Sequence, residues 1–387
     1  MSEHGSRVRR PRRRVLAASL GTLLALAIAL IGIYAPSMLR AVAVLAASVD
    51  MYDTNVATKL VSYEVSVSDA PIALTSRTLL SRRYAPVGLA RPPVTLLLHG
   101  VHPRGMDEPR LRQFARALAK IGIEVHTPQL PELAAFEAQP KLVDDIAACA
   151  AALQRGARGR KVGAFGISFA GGLLLVAAAR PQGDRVFDYV VALGAHHDMR
   201  RLARYYAGGT LAGPDGARRA PPPHRYAGRI LANAYASDLF SAEDVAGARE
   251  ALKLQLTERY AEAASARERL SPPGRQRLRD VLEGPSSELQ ALLVRASERR
   301  AAALASLSPS GRIARLRVPT FLLHGLDDPI VPSSESAWLA RELPPDALRR
   351  VLITPALRHA EGSTAPTTRD AIRLLAFLAA VLREAGP

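Results

Sequence analysis

A single serine stands between small residues in the stretch VGAFGISFAGGLLLV (162–176). Gly166 lies two positions before Ser168 and Ala170 lies two positions after it, which fits the Gly-x-Ser-x-Gly nucleophile elbow with alanine in place of the second glycine. Small residues are needed there because the strand and helix backbones crowd on either side of the serine. The pattern predicts a nucleophilic serine on a tight strand-to-helix turn. The alternative is a serine that only begins a buried helix.

A serine nucleophile needs a histidine that accepts its proton and a carboxylate that orients the histidine. His359 lies in a loop after the last apolar run of the chain and has no apolar periodicity that would place it in a core. Asp327 and Asp328 follow another apolar run. His99 and His324 each precede a glycine at the end of an apolar run, and we expect both to bond to nearby backbone.

A second group of polar residues is His196-His197-Asp198, also after an apolar run. The three side chains are either metal ligands or loop residues beside the site. No further histidines or carboxylates stand at ligand spacing, so we expect a loop with no metal and no cofactor. Asp198 is an alternative position for the orienting acid.

The elements that must hold these residues alternate between apolar runs and helical patterns. This alternation is typical of a parallel sheet with helices on both faces, so the predicted fold class is α/β. Between 198 and 314 the strand signal disappears and the composition is helical. We expect strands at 62–68, 94–100, 123–128, 161–166, 187–194, 318–325 and 349–355, and helices at 108–122 and 369–386.

The N-terminal region has a basic block followed by an uncharged apolar run. Six arginines lie between residues 7 and 14, and the run at 15–34 has the length of a membrane-spanning helix. We therefore predict a basic cytoplasmic tail (1–14), a transmembrane anchor (15–34) and a linker (35–54). The positive-inside rule then places the catalytic domain on the outer, periplasmic or extracytoplasmic, face. A long signal peptide cleaved near 41–43 is the alternative.

The composition argues against a nucleic-acid-binding protein and against a disulfide-bonded one. The net charge of +17 suggests a nucleic-acid partner, but the basic residues are spread along the chain and aromatic residues make up only 5%. Only five of the 52 basic residues are lysines, which indicates a compositional bias towards arginine. We predict no nucleic-acid partner. One cysteine, Cys149, excludes an internal disulfide.

Four motifs in this order resemble the α/β-hydrolase superfamily, and in particular a serine esterase or lipase with a helical cap. They are the His99-Gly100 turn, the Ser168 elbow, HGLDDPIVP (324–332) and RHAEG (358–362). The resemblance extends over about 60–200 and 315–387. It implies a hydrolase core in two parts, and the expected division of the chain is core at 55–197, helical cap insertion at 198–314 and core at 315–387.

The resemblance also implies a role for each motif residue. Ser168 attacks the substrate, His359 is the base, and Asp328 orients the histidine. The family motif places the acid four residues after His324, which favours Asp328 over Asp327.

An oxyanion hole is expected next to the serine. The resemblance assigns it to the backbone N–H groups of Val101 and Phe169, which follow the His-Gly turn and the serine. The segment 101–110 is expected to border the pocket, with Arg104, Asp107 or Arg110 as residues that shape substrate choice. The alternative is a solvated loop with local ion pairs.

The expected function is a membrane-anchored serine hydrolase that cleaves carboxylic esters, of small molecules or lipids, through an acyl-enzyme on Ser168. The membrane is an expected partner through the N-terminal helix. One alternative is a non-catalytic hydrolase-like module that binds a partner through its helical insertion. Another is a cofactor-free oxidative enzyme on the same fold.

Overall fold

A mostly parallel sheet runs through the protein, whose computed structural model describes residues 35–47, 61–217, 221–357 and 367–386. In these ranges the sheet has eight strands in the order β1-β4-β6-β5-β7-β8-β9-β10, and β2 and β3 form a separate hairpin. Within the eight-stranded sheet β4 pairs antiparallel with β1 and β6 and all other pairs are parallel, whereas the β2–β3 hairpin is antiparallel. The strands are β1 (Val65–Asp69), β2 (Ile72–Ala73), β3 (Thr78–Leu79), β4 (Ser81–Pro86), β5 (Val94–Leu98), β6 (Glu124–Pro128), β7 (Val162–Ile167), β8 (Phe187–Leu193), β9 (Thr320–Gly325) and β10 (Leu348–Thr354).

Helices cover both faces of the sheet, as the alternating pattern predicts. On one face α1, α2 and α16 belong to one apolar cluster, and on the other α4 and α5 pack together with the helices between β8 and β9. The helices are α1 (35–47), α2 (Pro109–Lys120), α3 (Pro131–Ala134), α4 (Lys141–Gly156), α5 (Phe169–Ala178), α6 (Gly183–Val186), α7 (Met199–Tyr206), α8 (Arg225–Ala234), α9 (Ala236–Leu239), α10 (Val245–Leu256), α11 (Tyr260–Glu268), α12 (Pro272–Glu283), α13 (Ser287–Arg299), α14 (Ala301–Ser306), α15 (Ser334–Glu342) and α16 (Thr368–Ala385). The predicted α/β-hydrolase fold class is confirmed.

The central strands are those that continuous apolar runs predict. All residues of β5 and β9 are buried, because helices cover both faces of these strands. β1 lies at the edge of the sheet, and four of its five residues are exposed. Polar and apolar residues alternate in SYEVSVS (62–68), which suits such an edge position.

β4 is a strand that the sequence pattern did not reveal. Its two central arginines hide the apolar signal, yet both are paired, Arg82 with Asp107 and Arg83 with Glu124. Tyr84 is completely buried in the core, and Ser81, Ala85 and Pro86 are buried as well. The strand is thus held by ion pairs and backbone bonds to its neighbours as well as by apolar packing.

The helices α7–α14 lie between β8 and β9, in the segment that the sequence predicts to be helical. Their ends carry local signals: Ser271 precedes Pro272 and accepts a hydrogen bond from the N–H of Gly274 at the start of α12. We call residues 198–314 the helical insertion. It packs over the end of the sheet at which β5 and β7 finish.

The N-terminal region differs from the expectation. Residues 1–34, with the predicted tail and the predicted anchor at 15–34, lie outside the described residues. Within the described ranges no helix is long and apolar enough to cross a membrane. This finding contradicts the predicted localisation of a single-pass protein with a cytoplasmic N-terminus and an outward-facing catalytic domain, and that prediction is withdrawn.

The segment 35–47, predicted as part of a linker, is the helix α1. At 1.5 Å per residue it is about 20 Å long, well short of the roughly 30 Å of a bilayer core. Ala41, Ala43 and Val44 are buried in the same cluster as α2 and α16, and Gln113 Nε2 donates to the Ala47 carbonyl at 3.0 Å. The apolar side of this helix is therefore used for packing on the domain.

Candidate active site

Ser168 occupies the turn between β7 and α5. Its backbone has φ +56° and ψ −128°, a conformation that a residue with a side chain adopts only under strain. The Ser168 N–H donates to the Leu193 carbonyl at 2.6 Å, and the Ser168 carbonyl accepts from the Gly171 N–H at 2.9 Å. The predicted strand-turn-helix arrangement is present, and these bonds fix it on both sides.

The small residues around the serine are required by close contacts. A Cβ atom at Gly166 would lie 2.7 Å from the Ala170 carbonyl oxygen and 2.7 Å from Gly171 Cα. A Cβ at Gly100 would lie 3.1 Å from Ser168 Cβ, so the turn after β5 touches the serine. Ala170 is completely buried, which leaves space for its methyl group but for little more.

The two N–H groups predicted for the oxyanion hole lie beside the serine. Val101, Ser168 and Phe169 line one cavity. Neither the Val101 N–H nor the Phe169 N–H has a hydrogen-bond acceptor in the described part of the chain. Phe169 is the first residue of α5, so its N–H also carries the positive end of the helix dipole. Such a pair of N–H groups can bind an oxygen that becomes negatively charged.

His99 is bound to backbone on both ring nitrogens, as expected. The Leu130 N–H donates to Nε2 at 2.9 Å, so the proton is on Nδ1, which donates to the Gly100 carbonyl at 2.7 Å. Burial lowers the pKa of His99 to about 4, which keeps the ring neutral at pH 7. The C=O and N–H of a planar trans peptide point in opposite directions, so this bond also orients the Val101 N–H.

Asp328 is the buried member of the aspartate pair. It lies in the loop after β9 and is 3% exposed, whereas Asp327 is exposed to solvent. Asp328 Oδ1 accepts the N–H groups of Ile330 at 2.8 Å and Val331 at 3.0 Å. These bonds fix the orientation of the carboxylate. The geometry agrees with the choice of Asp328 over Asp327 as the acid.

His324 also stabilises the loop that contains Asp328. Its Nε2 donates to the Val331 carbonyl at 2.7 Å, and its Nδ1 accepts from the Ser336 hydroxyl at 2.6 Å. The ring is completely buried. His324 is therefore bound within the fold, as expected of the second His-Gly turn.

The predicted base, His359, lies in the segment 358–366, outside the described residues. Its role stays a prediction from the sequence. Val101, Ser168 and Phe169 line one cavity, and the loop that holds Asp328 borders it through Ile330 and Val331, although Asp328 itself is not part of the lining.

The cluster at 196–198 is engaged within the protein. His196 Nε2 donates to the Leu307 carbonyl at 3.0 Å, and its ring stacks on Phe169 at 4.7 Å between centroids. His197 Nε2 lies 2.6 Å from a Glu342 carboxylate oxygen. Within the ranges that the structure describes, no group of three or more His, Cys, Asp or Glu residues could hold a metal ion.

Asp198, the alternative acid, caps α7. Its carboxylate accepts the Arg200 N–H at 2.8 Å and pairs with the Arg200 guanidinium at 3.0 Å. Burial acts against ionisation, but the bonds from Arg200 outweigh it and lower the pKa of Asp198. This carboxylate has a structural partner of its own.

A cavity of about 1000 Å³ lies between the serine turn and the helical insertion. Arg104 and Arg110 lie at its border, as the sequence predicts for segment 101–110, and Arg110 pairs with Glu108. Asp107 is not part of the lining. Most of the insertion side is apolar, and its larger apolar residues are Met199, Leu202, Ile230, Leu231, Leu256, Leu304 and Leu307.

Three tyrosines of the same wall were not singled out from the sequence. They are Tyr206, Tyr226 and Tyr235, and we call them the tyrosine wall. No local pattern connects residues so far apart in the chain, and only the packing of α7 and α8 brings them together.

A sequence profile of the family described as alpha/beta hydrolase fold matches residues 96–359 of the chain. No curated protein gives a significant match.

Solved structures that the chain resembles include two bacterial hydrolases. One is the 2-hydroxy-6-oxo-6-phenylhexa-2,4-dienoate hydrolase from Rhodococcus sp. strain RHA1, at 16% identity and a TM-score of 0.41 over 75% of this chain and 91% of that one. The other is a meta-cleavage product hydrolase from Pseudomonas fluorescens IP01, at 18% identity and a TM-score of 0.36 over 73% and 87%.

An acylaminoacyl peptidase from Pyrococcus horikoshii is also similar. It shares 14% identity at a TM-score of 0.43, over 78% of this chain and 38% of the peptidase chain. At such TM-scores these likenesses carry no argument about activity.

Proposed function

This chain belongs to the α/β-hydrolase fold family, and we propose that it is a serine hydrolase that cleaves carboxylic esters through an acyl-enzyme on Ser168. One observation carries the proposal. A strained serine stands at the start of a helix, against a turn whose N–H group has no partner in the described residues, and both line a large cavity. Strain of this kind persists where function requires it.

In the proposed reaction Ser168 Oγ attacks the ester carbonyl while His359 accepts its proton. The carbonyl oxygen becomes an oxyanion and is bound by the N–H groups of Val101 and Phe169, each worth about 3–4 kcal/mol of transition-state stabilisation. His359 then protonates the leaving alcohol, and water attacks the acyl-enzyme by the same route. Asp328 holds the imidazole in the required tautomer and stabilises its cation.

The cavity supports a substrate with a bulky apolar group. Its volume of about 1000 Å³ lies at the upper end of the usual range for ligand pockets, and its insertion side is mostly apolar, with leucine, isoleucine, methionine and alanine side chains. An ester of a small molecule or lipid with a long or ring-containing group would fill this space and exclude water from the acyl-enzyme.

The test uses the full-length protein and a fluorophosphonate probe, which reacts with activated serines. We expect the parent to be labelled and Ser168→Ala to be unlabelled. Ser265→Ala is the matched control, since Ser265 is exposed on α11 and donates only to the Ala261 carbonyl. His359→Ala should slow labelling strongly, because the serine then lacks its base.

Hydrolysis of p-nitrophenyl esters by the parent would complete the assignment. A folded parent that is neither labelled nor able to cleave these esters contradicts the proposal. In that case the non-catalytic alternative, with partner binding through the helical insertion, becomes the better description.

A further inference from the structure

The tyrosine wall places three tyrosines along a largely apolar part of the cavity, and the hydroxyl oxygen of one of them, Tyr235, lies buried behind the cavity surface. Tyr206 ends α7, Tyr226 lies in the first turn of α8, and Tyr235 directly follows α8. All three line the cavity that contains Ser168. Their apolar neighbours in the lining include Leu202 and Leu231 from the same helices.

None of these hydroxyls has a hydrogen-bond partner among the residues that the structure describes. Tyr235 is 3% exposed and its hydroxyl oxygen is fully buried and unpaired. Ser297 lies close enough to the Tyr235 hydroxyl to influence its pKa. The Ser297 hydroxyl, however, donates to the Leu293 carbonyl at 2.8 Å and forms no hydrogen bond of normal geometry with the phenol. Buried tyrosine hydroxyls are normally bonded, so an unpaired one costs stability.

The neighbouring Tyr205 shows the usual arrangement. Its hydroxyl donates to the Pro221 carbonyl at 2.7 Å and lies 3.4 Å from the Pro329 carbonyl. Tyr205 and Tyr206 are adjacent in sequence, and their rings are 5.8 Å apart. One hydroxyl of this pair is therefore satisfied by the fold, and the other is left to the cavity.

Two rings of the tyrosine wall, those of Tyr226 and Tyr235, are held by neighbouring side chains. The Arg300 guanidinium covers the Tyr235 ring at 4.6 Å, while Arg300 also pairs with Asp238. The Tyr226 ring meets the edge of Phe136 at 6.3 Å between centroids. Such contacts prevent the rings from turning away to find partners elsewhere.

All three phenols stay protonated at neutral pH. Burial raises the pKa of Tyr226 to about 12, and burial likewise raises the pKa of Tyr206 and Tyr235 above the usual value. Each is thus a hydrogen-bond donor. The arginine in the same wall, Arg300, is already paired with Asp238, so the wall suits a neutral acceptor better than a carboxylate.

We propose that the tyrosine wall is a subsite for a substrate group that carries neutral oxygen acceptors, such as ketone or ether oxygens, within an apolar frame. A plain hydrocarbon chain would leave the phenols unpaired. This inference rests on the proposed ester hydrolysis at Ser168 and names the class of ester that the site prefers.

The first experiment measures kcat/KM of the full-length protein on octanoate esters. One series has a ketone oxygen at successive positions of the acyl chain, and a second series has it in the alcohol chain. We expect at least one keto ester to exceed the plain ester by about five- to tenfold, the value of a hydrogen bond made in place of an unpaired donor. Equal rates for all esters of both series would overturn the inference.

The variants Tyr206→Phe, Tyr226→Phe and Tyr235→Phe identify the donor. The variant that lacks the contacting hydroxyl should lose the preference for the keto ester, so that kcat/KM becomes equal for the keto ester and the plain ester in that variant. Tyr260→Phe is the matched control, because Tyr260 is 56% exposed on α11 and does not line the cavity. Variants that slow plain and keto esters alike would count against a subsite.

Thermal unfolding gives a readout that does not depend on activity. Tyr235→Phe removes an unpaired buried hydroxyl, so its midpoint should be equal to or above that of the parent. A lower unfolding midpoint for Tyr235→Phe would mean that the Tyr235 hydroxyl is hydrogen-bonded inside the protein. That result would overturn the role of Tyr235 in the subsite. Fluorophosphonate labelling separates the two proposals: a labelled parent without ester preference rejects the subsite alone, and an unlabelled parent that cleaves no ester rejects both.

Discussion

The two sides of the cavity are built in different ways. On the sheet side, the geometry is set mainly by backbone. A strained turn carries Ser168, Gly100 and Gly166 leave little or no room for a Cβ atom beside it, and His99 and His324 use both ring nitrogens within the fold. On the insertion side, side chains form the wall and the tyrosine hydroxyls have no partner in the described residues. Rigid backbone suits a reaction that needs fixed geometry, and unpaired side chains suit recognition of a substrate.

The contacts that join the helical insertion to the hydrolase core also differ between the two edges of the cavity. Beside the acid loop, the His224 N–H donates to the Pro329 carbonyl at 3.0 Å, and Tyr205 reaches the same carbonyl. At the opposite rim, the contacts are between side chains: Lys253 with Glu137 at 3.3 Å, and the ring contact of Tyr226 with Phe136. The insertion is thus bound more firmly on the side of Asp328.

The largest expected effect comes from removing the serine hydroxyl. Ser168→Ala and Ser168→Gly should both lose about 10⁵-fold or more in kcat, as nucleophile removal does in other serine hydrolases. Of the two, the glycine variant should be more stable by about 1 kcal/mol, because glycine adopts a positive φ without strain. Denaturant unfolding of both variants checks this, and equal stability would mean that the turn stores no strain.

The next effect tests how closely the turn is packed. Gly166→Ala places a methyl group 2.7 Å from backbone atoms and should lower the free energy of unfolding by about 3 kcal/mol, with loss of labelling at Ser168. Gly156→Ala is the control, since Gly156 lies in α4 with open space at its Cβ and should gain stability by up to about 1 kcal/mol. A tolerated Gly166→Ala would contradict the elbow geometry.

The pH dependence of the free energy of unfolding tests the burial of the His99 ring. Its folded-state pKa of about 4 lies below the ordinary value of 6.5, so the unfolded chain binds the proton more readily. Stability should therefore fall as the pH drops from about 6.5 to 4, by roughly 3 kcal/mol from this residue. His99→Asn should show a shallower dependence in urea unfolding at pH 7, 5 and 4; a parallel dependence would assign the loss to other groups.

Replacing His99 by asparagine or glutamine separates the contributions of its two hydrogen bonds, one to the Gly100 carbonyl and one from the Leu130 N–H. His99→Asn can still donate to the Gly100 carbonyl, whereas His99→Gln extends further and can accept from the Leu130 N–H. If His99 positions the Val101 N–H, kcat should fall about tenfold more in His99→Gln than in His99→Asn, with KM little changed. Equal kcat values in the two variants, with equal loss of stability, would show a purely structural role.

The smallest effect is expected at the rim ion pair. Lys253→Ala should change the free energy of unfolding by less than about 1 kcal/mol, because the side chains of Lys253 and Glu137 keep 41% and 43% of their surface in contact with solvent, which screens the pair. Arg269→Ala, which breaks the exposed pair with Glu250 inside the insertion, is the matched control. A higher KM in Lys253→Ala alone would show that this rim affects substrate entry.

The sequence predicts the sheet side well because its signals are local. Continuous apolar runs mark β5, β7, β8 and β9, and the small residues around Ser168 identify the turn within five positions. The burial of Asp328 against the exposure of Asp327 agrees with the motif spacing. β4 was missed because the apolar signal of Tyr84 is masked by two arginines whose partners lie on other elements.

The insertion side could not be predicted in the same way. The tyrosine wall joins residues from the end of α7 to the end of α8, and nothing near Tyr206 in sequence indicates that its hydroxyl stays unpaired while that of Tyr205 is bonded. α1 was missed for a similar reason: its alanine-rich face becomes meaningful only against α16, which lies more than 300 residues further along the chain.

The packing of α1 also sets a practical limit on recombinant work. A shortened protein that begins after residue 60 would lack Ala41, Ala43 and Val44, and the apolar surface that they now cover would meet water. Such a protein would be less soluble and prone to self-association at the concentrations that crystallisation requires. A shortened version meant for biophysical work should therefore keep residues 35–47.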